Sequence, residues 1–389
     1  MKFPTAVLTL VIALAFSTAG CDLFSDSSSD PDPLSGTYEF SAPVYDIAAT
    51  PDGPILVAET VPAEYDIPPE GETSLTTVME IRSDGVEAVA ELSTIQGSPI
   101  NGLGAINQQR FFATSGGLDL AVGSGVWHVS PGEAQMVADI ETFETQNDPD
   151  AFAGPQWKNQ ACEENPDAGF SAGPQSNPYH LVGRSGNEAL VADGAGNALL
   201  SATVSGDVDW VAVFTPPVDE NGDWRVLFPL DEDTDCYVQP VPTAVTIGPD
   251  GAYYVGELTG VTPAILGGEA ASPLARVWRI APGARNVVCP SDECQEVVSG
   301  LISVIDVAFG PDDELYVVEF DKNGWFAATA GGAAAGGTIK RCEVDTGDCT
   351  LVEDADVPLG AITFDRWDQM WVVENTTPDV ATVRRVDVP

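Results

Sequence analysis

The stretch Ala244-Val-Thr-Ile-Gly-Pro-Asp-Gly-Ala-Tyr-Tyr-Val-Gly-Glu257 reads as a short apolar strand, a turn on Pro249-Asp250-Gly251, and a second strand ending on a carboxylate. Proline pre-sets φ at the turn corner, aspartate bonds back to the backbone and glycine accepts positive φ, so the triplet reverses the chain between two strands. The unit recurs as Asp46-Ile-Ala-Ala-Thr-Pro-Asp-Gly-Pro-Ile-Leu-Val-Ala-Glu59, as Asp306-Val-Ala-Phe-Gly-Pro-Asp-Asp-Glu-Leu-Tyr-Val-Val-Glu319, and as Ala361-Ile-Thr-Phe-Asp-Arg-Trp-Asp-Gln-Met-Trp-Val-Val-Glu374. Weaker copies run over 104–115 and 181–193. Six copies between residues 44 and 389 give roughly 58 residues per unit, in the range of four-stranded propeller blades with some long loops. Third strands are expected at 78–82, 125–129, 275–280 and 337–341, and fourth strands at 135–140 and 210–214. The last unit ends on a third strand, 381–388. An open blade edge is exposed to aggregation, so 37–41 is expected to supply the missing strand. The expectation is an all-β, six-bladed β-propeller of four-stranded antiparallel blades, closed by an N-terminal strand and occupying 36–389. No segment after Cys21 sustains a 3.6-residue apolar period, so long helices are not expected.

The chain carries 60 acidic and 15 basic side chains, for a formal charge of -45, yet 44% of its 389 residues are hydrophobic. Eight Trp, eight Tyr and fifteen Phe separate it from a disordered acidic tail, which lacks the means to build a core. Affinity for phosphates comes from Lys and Arg, so nucleic acid and anionic membrane surfaces are excluded as partners. The acidic excess is that of a solvated surface from a salt-rich setting, a statement about solubility rather than chemistry.

Lys2, the apolar run 6–16 and Ser17-Thr-Ala-Gly-Cys21 describe an export signal over 1–20, too short for a membrane span. Ala19-Gly20-Cys21 resembles the lipobox of bacterial lipoproteins, which implies acylation at Cys21; Thr18 stands where Leu is usual. Residues 21–35, rich in Ser, Asp and Pro, read as a solvated tether to a lipid anchor. The implied location is the cell envelope, with membrane contact only through the lipid. Seven Cys less Cys21 leave six, an even number suited to an oxidising compartment. Cys289 with Cys294, and Cys342 with Cys349, each bracket a turn between apolar runs, so each pair is expected to staple a hairpin, leaving Cys162 with Cys236. Zinc is the competing reading, but no His cluster joins the short pairs.

Asn177-Pro-Tyr179, Val191-Ala-Asp-Gly-Ala-Gly-Asn197, Val241-Pro-Thr-Ala-Val-Thr-Ile-Gly-Pro-Asp-Gly251, Tyr254-Val-Gly-Glu-Leu-Thr-Gly260, Arg276-Val-Trp-Arg279 and Val304-Ile-Asp-Val-Ala-Phe-Gly310 resemble the ScyD/ScyE family of secreted, NHL-like or gluconolactonase-like six-bladed propellers. The resemblance is densest over 177–320. His180 departs from the small or acidic residue expected after that Tyr, and the acidic insertion 141–176 lies outside the common pattern. The resemblance implies the fold strongly and an activity weakly, since fold does not fix function.

In a propeller the second strand's end meets the first strand's start at one face. That face is expected to gather Glu59, Asp193, Glu257, Glu319 and Glu374, with Ser115 in the second blade, beside Asp46, Asn101, Asn177, Thr243 and Asp306. Long segments emerge there too, and loops held by a rigid scaffold are where ligands bind. Oxygen donors without His or Cys suit a hard cation such as Ca²⁺. Gluconolactonase-like propellers hold a divalent ion on Glu, Asn and Asp around the channel, and that resemblance implies Asp46, Asn101, Asn177 and Asp306 as metal ligands, with Tyr179 lining the mouth. The competing reading has the same carboxylates bonding backbone amides of the blades. His180 is the candidate acid or base; His128, on an alternating strand, is expected to pack or face solvent. Trp127, Trp210, Trp278 and Trp371 are expected to pack between blades. Two functions follow. A monomeric envelope lipoprotein would bind a small molecule, glycan or envelope protein through its channel-mouth face. Alternatively, a metal-dependent lactonase-like hydrolase would polarise a carbonyl and activate water.

Overall fold

Pro249-Asp250-Gly251 closes its turn with two backbone bonds, Gly248 N–H to the Ala252 carbonyl and Gly251 N–H to the Gly248 carbonyl, each 2.9 Å. The Asp250 carboxylate accepts from Ala252 N at 3.0 Å, and Gly251 takes φ +77°, which a side chain would disfavour. Each such turn leaves two antiparallel strands, and the rest of the fold is built by repeating that hairpin. The structure, a computed structural model, describes residue 34 and residues 36–51, 53–61, 74–94, 100–106, 109–114, 124–152, 174–184, 187–229, 235–259, 273–329, 334–374 and 380–388.

The chain begins with β1 (Thr37–Phe40), then runs through β2 (Val44–Ala49), β3 (Ile55–Val61), β4 (Ser74–Arg82) and β5 (Gly85–Thr94), which pair in that order as the first blade. The second is β6 (Ile100–Ile106), β7 (Gln109–Thr114), β8 (Gly125–Ser130) and β9 (Glu133–Asp139), followed by α1 (Ile140–Asn147) and a 3₁₀ turn (Pro149–Phe152). The third holds β10 (Pro178–Arg184), β11 (Glu188–Asp193), β12 (Ala198–Thr203) and β13 (Val208–Phe214), and a hairpin of β14 (Val226–Pro229) and β15 (Asp235–Tyr237) comes next. The fourth pairs β16 (Pro242–Ile247), β17 (Tyr253–Glu257) and β18 (Ala275–Ile280) with β20 (Cys294–Leu301), while the intervening β19 (Val287–Cys289) joins β13 in parallel. Then come β21 (Val304–Phe309), β22 (Leu315–Glu319), a short helix α2 (Trp325–Thr329), β23 (Thr338–Cys342) and β24 (Cys349–Asp354). Last, β25 (Leu359–Phe364), β26 (Met370–Glu374) and β27 (Ala381–Val386) pair in sequence, with β1 hydrogen-bonded to β27 in the register Thr37 to Arg384 and Phe40 to Ala381.

The architecture is an all-β propeller with four-stranded antiparallel blades. The expectation of six uniform four-stranded blades is corrected: five sheets have four strands, and the one built on β10–β13 has five. Its extra strand arises because the Cys289–Cys294 disulfide holds the hairpin before β20, and β19 lies along the neighbouring blade. Residue 140, expected to end a strand, begins α1 instead, because the Asp139 side chain accepts from Thr142 N at 2.8 Å and caps a helix there. The second disulfide, Cys342–Cys349, ties β23 to β24. Cys162 and the side chain of Cys236 lie outside the described residues, as do the 1–20 leader, Cys21, residues 22–33 of the tether and Ser115.

The second strands β17 and β22 bury every position, because both of their faces pack on neighbouring blades; outer strands such as β24 are half exposed. Trp278 and Trp371 are buried in two of the resulting cores, and Trp127 and Trp210 are half-buried at the edges of others. Among the described residues, no helix is long and apolar enough to cross a membrane. Phe40 is 5% exposed and packs in the core that contains Trp371 and Val383. Phe40→Ala is expected to cost about 3 kcal/mol or more in urea denaturation, the loss typical of a buried Phe truncation. A cost below about 0.5 kcal/mol would show that β1 carries no weight in the fold.

Candidate functional site

The strands β2, β6, β10, β16, β21 and β25 are each the first of their sheet and contact one another in that cyclic order. Each carries a bulge near its start, where the pairing register shifts between Val44 and Ile47, Ile100 and Gly102, Pro178 and His180, Pro242 and Ala244, Val304 and Asp306, and Leu359 and Ile362. A bulge leaves one residue unpaired, so backbone donors at this level need other partners. One residue per strand stands just past it: Asp46, Gly102, His180, Ala244, Asp306 and Ala361. Polar and small residues alternate around the axis.

The three polar ones do the same work. Asp46 accepts from Ile47 N at 2.8 Å and, across the blade boundary, from Leu103 N at 2.6 Å. Asp306 accepts from Val307 N and from Ile362 N of the next blade, both at 2.7 Å. His180 Nδ1 accepts from Val245 N of its next blade at 3.3 Å. The intervening residues have to be small: a Cβ on Gly102 would stand 2.9 Å from the His180 Cα. With Nδ1 accepting, the neutral imidazole carries its proton on Nε2, which lies 3.5 Å from Asp46 Oδ2 and 3.6 Å from Asp306 Oδ1.

Burial pushes Asp46 from 3.8 up to about 7, with Asp306 adding to the rise and His180 opposing it. Asp306 is raised by burial in the same way. Burial pulls His180 down, but the facing Asp46 and Asp306 more than reverse this, so the imidazole holds its proton above its ordinary value. Tyr179, at the bulge beside His180, is raised by burial and by Tyr45, Asp46 and Asp306. The cluster is therefore a proton-sharing one. Its Nε2 offers no lone pair to a cation while Nδ1 is engaged.

The four expected metal ligands divide into two groups. Asp46 and Asp306 meet at His180, whereas Asn101 Nδ2 donates to Asn177 Oδ1 at 3.2 Å. Thr243 donates to the Val304 carbonyl at 2.6 Å, tying the fourth blade to the fifth. The repeat-end carboxylates are engaged within the blades. Glu59 accepts from Ser41 N and Ala42 N at 2.7 and 3.0 Å, Asp193 from Asn177 N at 2.7 Å and Ser176 Oγ at 2.7 Å, and Glu319 from Ile302 N at 2.7 Å and Thr338 Oγ1 at 2.5 Å. Glu257 is fully buried against Arg276, whose Nε and Nη2 lie at 2.7 and 3.1 Å, and accepts from Trp278 Nε1 at 2.5 Å. Glu374 takes Arg384 Nη2 at 2.6 Å. In the second blade the register puts Thr114 opposite Ile100, so the equivalent residue is Thr114 rather than Ser115. His128 sits half-buried on β8, a third strand.

A cavity of about 440 Å³ runs up the channel on the turn side of the cluster. His180 is at its floor, Thr50, Asp365 and Arg366 stand at its turn end, and the strand segments between them form its wall; Ile47, Leu103, Leu181, Val245, Val307 and Ile362 belong to these segments but turn their side chains into the cores between blades. The strands around it present free edges, so its wall mixes aliphatic carbon with main-chain donors and acceptors.

A second acidic group lies in the acidic insertion 141–176, which stands outside the common repeat pattern. Glu144 on α1 is buried, and burial followed by Asp193, Asp150, Asp148 and Glu141 pushes it up to about 10. Burial also raises Glu141 and Asp150 to about 7 each. The signal that could have found it is the spacing Glu141, Glu144, Asp148, which places three acids along one face of a helix and its cap.

No protein-family model matches the chain, and no curated protein does. Among solved structures, virginiamycin B lyase from Staphylococcus aureus, in a catalytically inactive form with quinupristin, is 13% identical with a TM-score of 0.45, covering 91% of this chain and 99% of its own. A proposed oxidoreductase (glucose dehydrogenase) from Thermus thermophilus is 13% identical at a TM-score of 0.47, over 90% and 100%. A protein of unknown function from Bacteroides thetaiotaomicron is 10% identical at 0.47, over 90% and 73%.

A carboxyl whose folded pKa is raised binds its proton more tightly folded than unfolded. The stability it contributes is fully present below its unfolded value and is lost as pH rises through the folded one. For Asp46 that window runs from 3.8 to about 7, and the raised His180 acts in the same direction. Stability from urea denaturation should therefore fall between about pH 4 and 7, and Asp46→Asn should flatten the fall by up to about 1.4 kcal/mol per pH unit for one proton. An unchanged slope in the variant would refute proton sharing at the axis.

Proposed function

We propose that the protein is an exported binding propeller that takes a small molecule into its central channel, with the ligand's polar end on His180, which Asp46 and Asp306 flank, and its body against the strand edges of the wall. The observation that carries this reading is the cavity of about 440 Å³ floored by a proton-bearing imidazole between two buried carboxylates. That volume is in the range of small-molecule pockets, as is the mixture of apolar wall and few convergent polar groups. Two carboxylates against one imidazole disfavour an anionic head, so a hydroxyl, carbonyl or amine is the expected group at the floor. The six sheets are read as one ring, with β1 completing the sheet of β27. Attachment to the envelope through acylated Cys21 and the 21–35 tether rests on the Ala-Gly-Cys motif, and the two disulfides agree with an oxidising compartment. The similarity of 177–320 to ScyD/ScyE proteins supports a secreted propeller and names no ligand.

The second reading is a lactonase-like hydrolase. It is favoured by one observation: Asp46, raised to about 7, adjoins His180 at the base of a cavity, and a group titrating near neutrality is what general acid–base catalysis needs. The two readings part on turnover.

The test is a thermal-shift panel of neutral lactones, polyols and short amines, followed by calorimetric titration of the compounds that shift melting. Affinity should fall at least about tenfold in His180→Gln, which removes the imidazole, and in Thr246→Phe, which narrows the cavity wall. A compound that binds both variants as tightly as the wild type places the site elsewhere. Lactone hydrolysis by the wild type, lost in His180→Gln, would establish the second reading instead.

A further inference from the structure

We propose that Glu144, Asp148 and Asp150 form a calcium site that fastens α1 and its following 3₁₀ turn to the third blade. One carboxylate oxygen from each of the three lies within 4.8 Å of the others. Two oxygens sharing one calcium ion at about 2.4 Å stand at most about 4.8 Å apart, so the spacing is the one that a shared ion permits.

Glu144 supplies a second, independent observation. It is 0% exposed, and neither of its carboxylate oxygens has a hydrogen-bond partner. Buried polar groups in folded proteins are almost always bonded, and a buried carboxylate left without a donor is among the costliest arrangements a fold can hold. The neighbourhood offers no relief. Asp148 caps the C-terminal end of α1 in a left-handed conformation, φ 46°, and the last turn of the helix contains no basic residue. Acids at that end face the negative pole of the helix dipole. A cation removes all three conflicts together: it supplies the missing partner, separates the carboxylates, and offsets the dipole.

The donor chemistry selects the ion. All three groups present oxygen and none presents sulfur or nitrogen, which disfavours zinc and copper. Calcium takes six to eight oxygens in a flexible geometry and tolerates an irregular set of carboxylates with water completing the shell, whereas magnesium demands a near-ideal octahedron. The blade side of the site is already set. Asn197 Nδ2 donates to Asp150 Oδ2 at 3.1 Å, while Asn197 Oδ1 accepts from Val241 N at 3.2 Å, so Asp150 is oriented by a residue anchored between β11 and β16. A Cβ on Gly196 would stand 3.2 Å from Glu144 Oε2, so the turn comes close against the carboxylate. The ion would join α1, which emerges from the second blade, to the turn of the third.

The experiment uses the whole chain, freed of metal with EGTA, in calorimetric titration and thermal melts. About 1 mM CaCl₂ should raise the melting temperature, as any ligand specific to the folded state does. Glu144→Gln and Asp150→Asn should each weaken calcium binding at least about tenfold. In EGTA, Glu144→Gln should melt no lower than the wild type, since it keeps the shape and places no charge in the buried site, which separates lost binding from lost folding. Asp46→Asn should bind calcium like the wild type. The absence of both heat and melting shift would overturn the proposal. So would calcium binding that survives Glu144→Gln and Asp150→Asn, binding abolished by Asp46→Asn, or tighter binding of magnesium than of calcium.

Discussion

Six strand edges meet around one axis with no further strand to pair them, and the rest of the molecule is arranged around that constraint. Free edges crowd as they converge, and each strand bulges at the same level, which leaves backbone N–H groups without ladder partners. Three side chains on alternate blades, Asp46, His180 and Asp306, answer this by reaching the equivalent N–H of the next blade. Six such side chains would not fit, and Gly102, Ala244 and Ala361 between them are small for that reason. Structural need therefore places ionisable groups at the centre of the propeller. Burial beside one another raises Asp46 to about 7, and a cavity with His180 in its lining opens next to them. The same stitching that joins the blades gathers two carboxylates and an imidazole at the axis.

The repeat-end carboxylates show the opposite outcome from a similar origin. Glu59, Asp193 and Glu319 bond the segment that leads into their own blade, and Glu257 and Glu374 take arginines instead. Each sits where a second strand ends beside an incoming chain, so a short acceptor is useful in every blade. Their recurrence in the sequence reflects that local demand. A motif repeated around a ring reports what each blade needs, whereas function at the axis comes from the positions at which the blades differ.

That distinction explains what could be read from the residues alone. The Pro-Asp-Gly turns and carboxylate ends located most strands to within a few residues, because turn chemistry and period-two burial are local. The level of the central cluster is not local. Asn101 and Asn177 stand one and three positions from the register of Asp46, and the bulges that create the offset leave no trace in hydrophobic pattern. His180 was conspicuous only as a departure from the expected residue after Tyr179; aligned on Val44, Ile100, Pro178 and Val304, it occupies the place of an aspartate. The crossing of β19 to the third blade was likewise hidden, since a three-residue strand in parallel pairing depends on a neighbour some 70 residues away.

A formal charge of -45 invites a single explanation in terms of a solvated surface, yet the fold places its acids in several kinds of surroundings, the buried repeat-end carboxylates among them. Most carboxylates face water, where their cost is small and their benefit is solubility. At the axis two of them are buried with an imidazole, and a proton held among the three lowers the charge to be desolvated. On α1 no imidazole is at hand: Glu144 lies buried with Asp148 and Asp150, at the wrong end of a helix dipole and without a hydrogen bond. A carboxylate removed from water must be neutralised by something, and the number and kind of nearby groups decide what. One histidine between two acids favours a proton, while three acids with only oxygen to offer favour a hard cation.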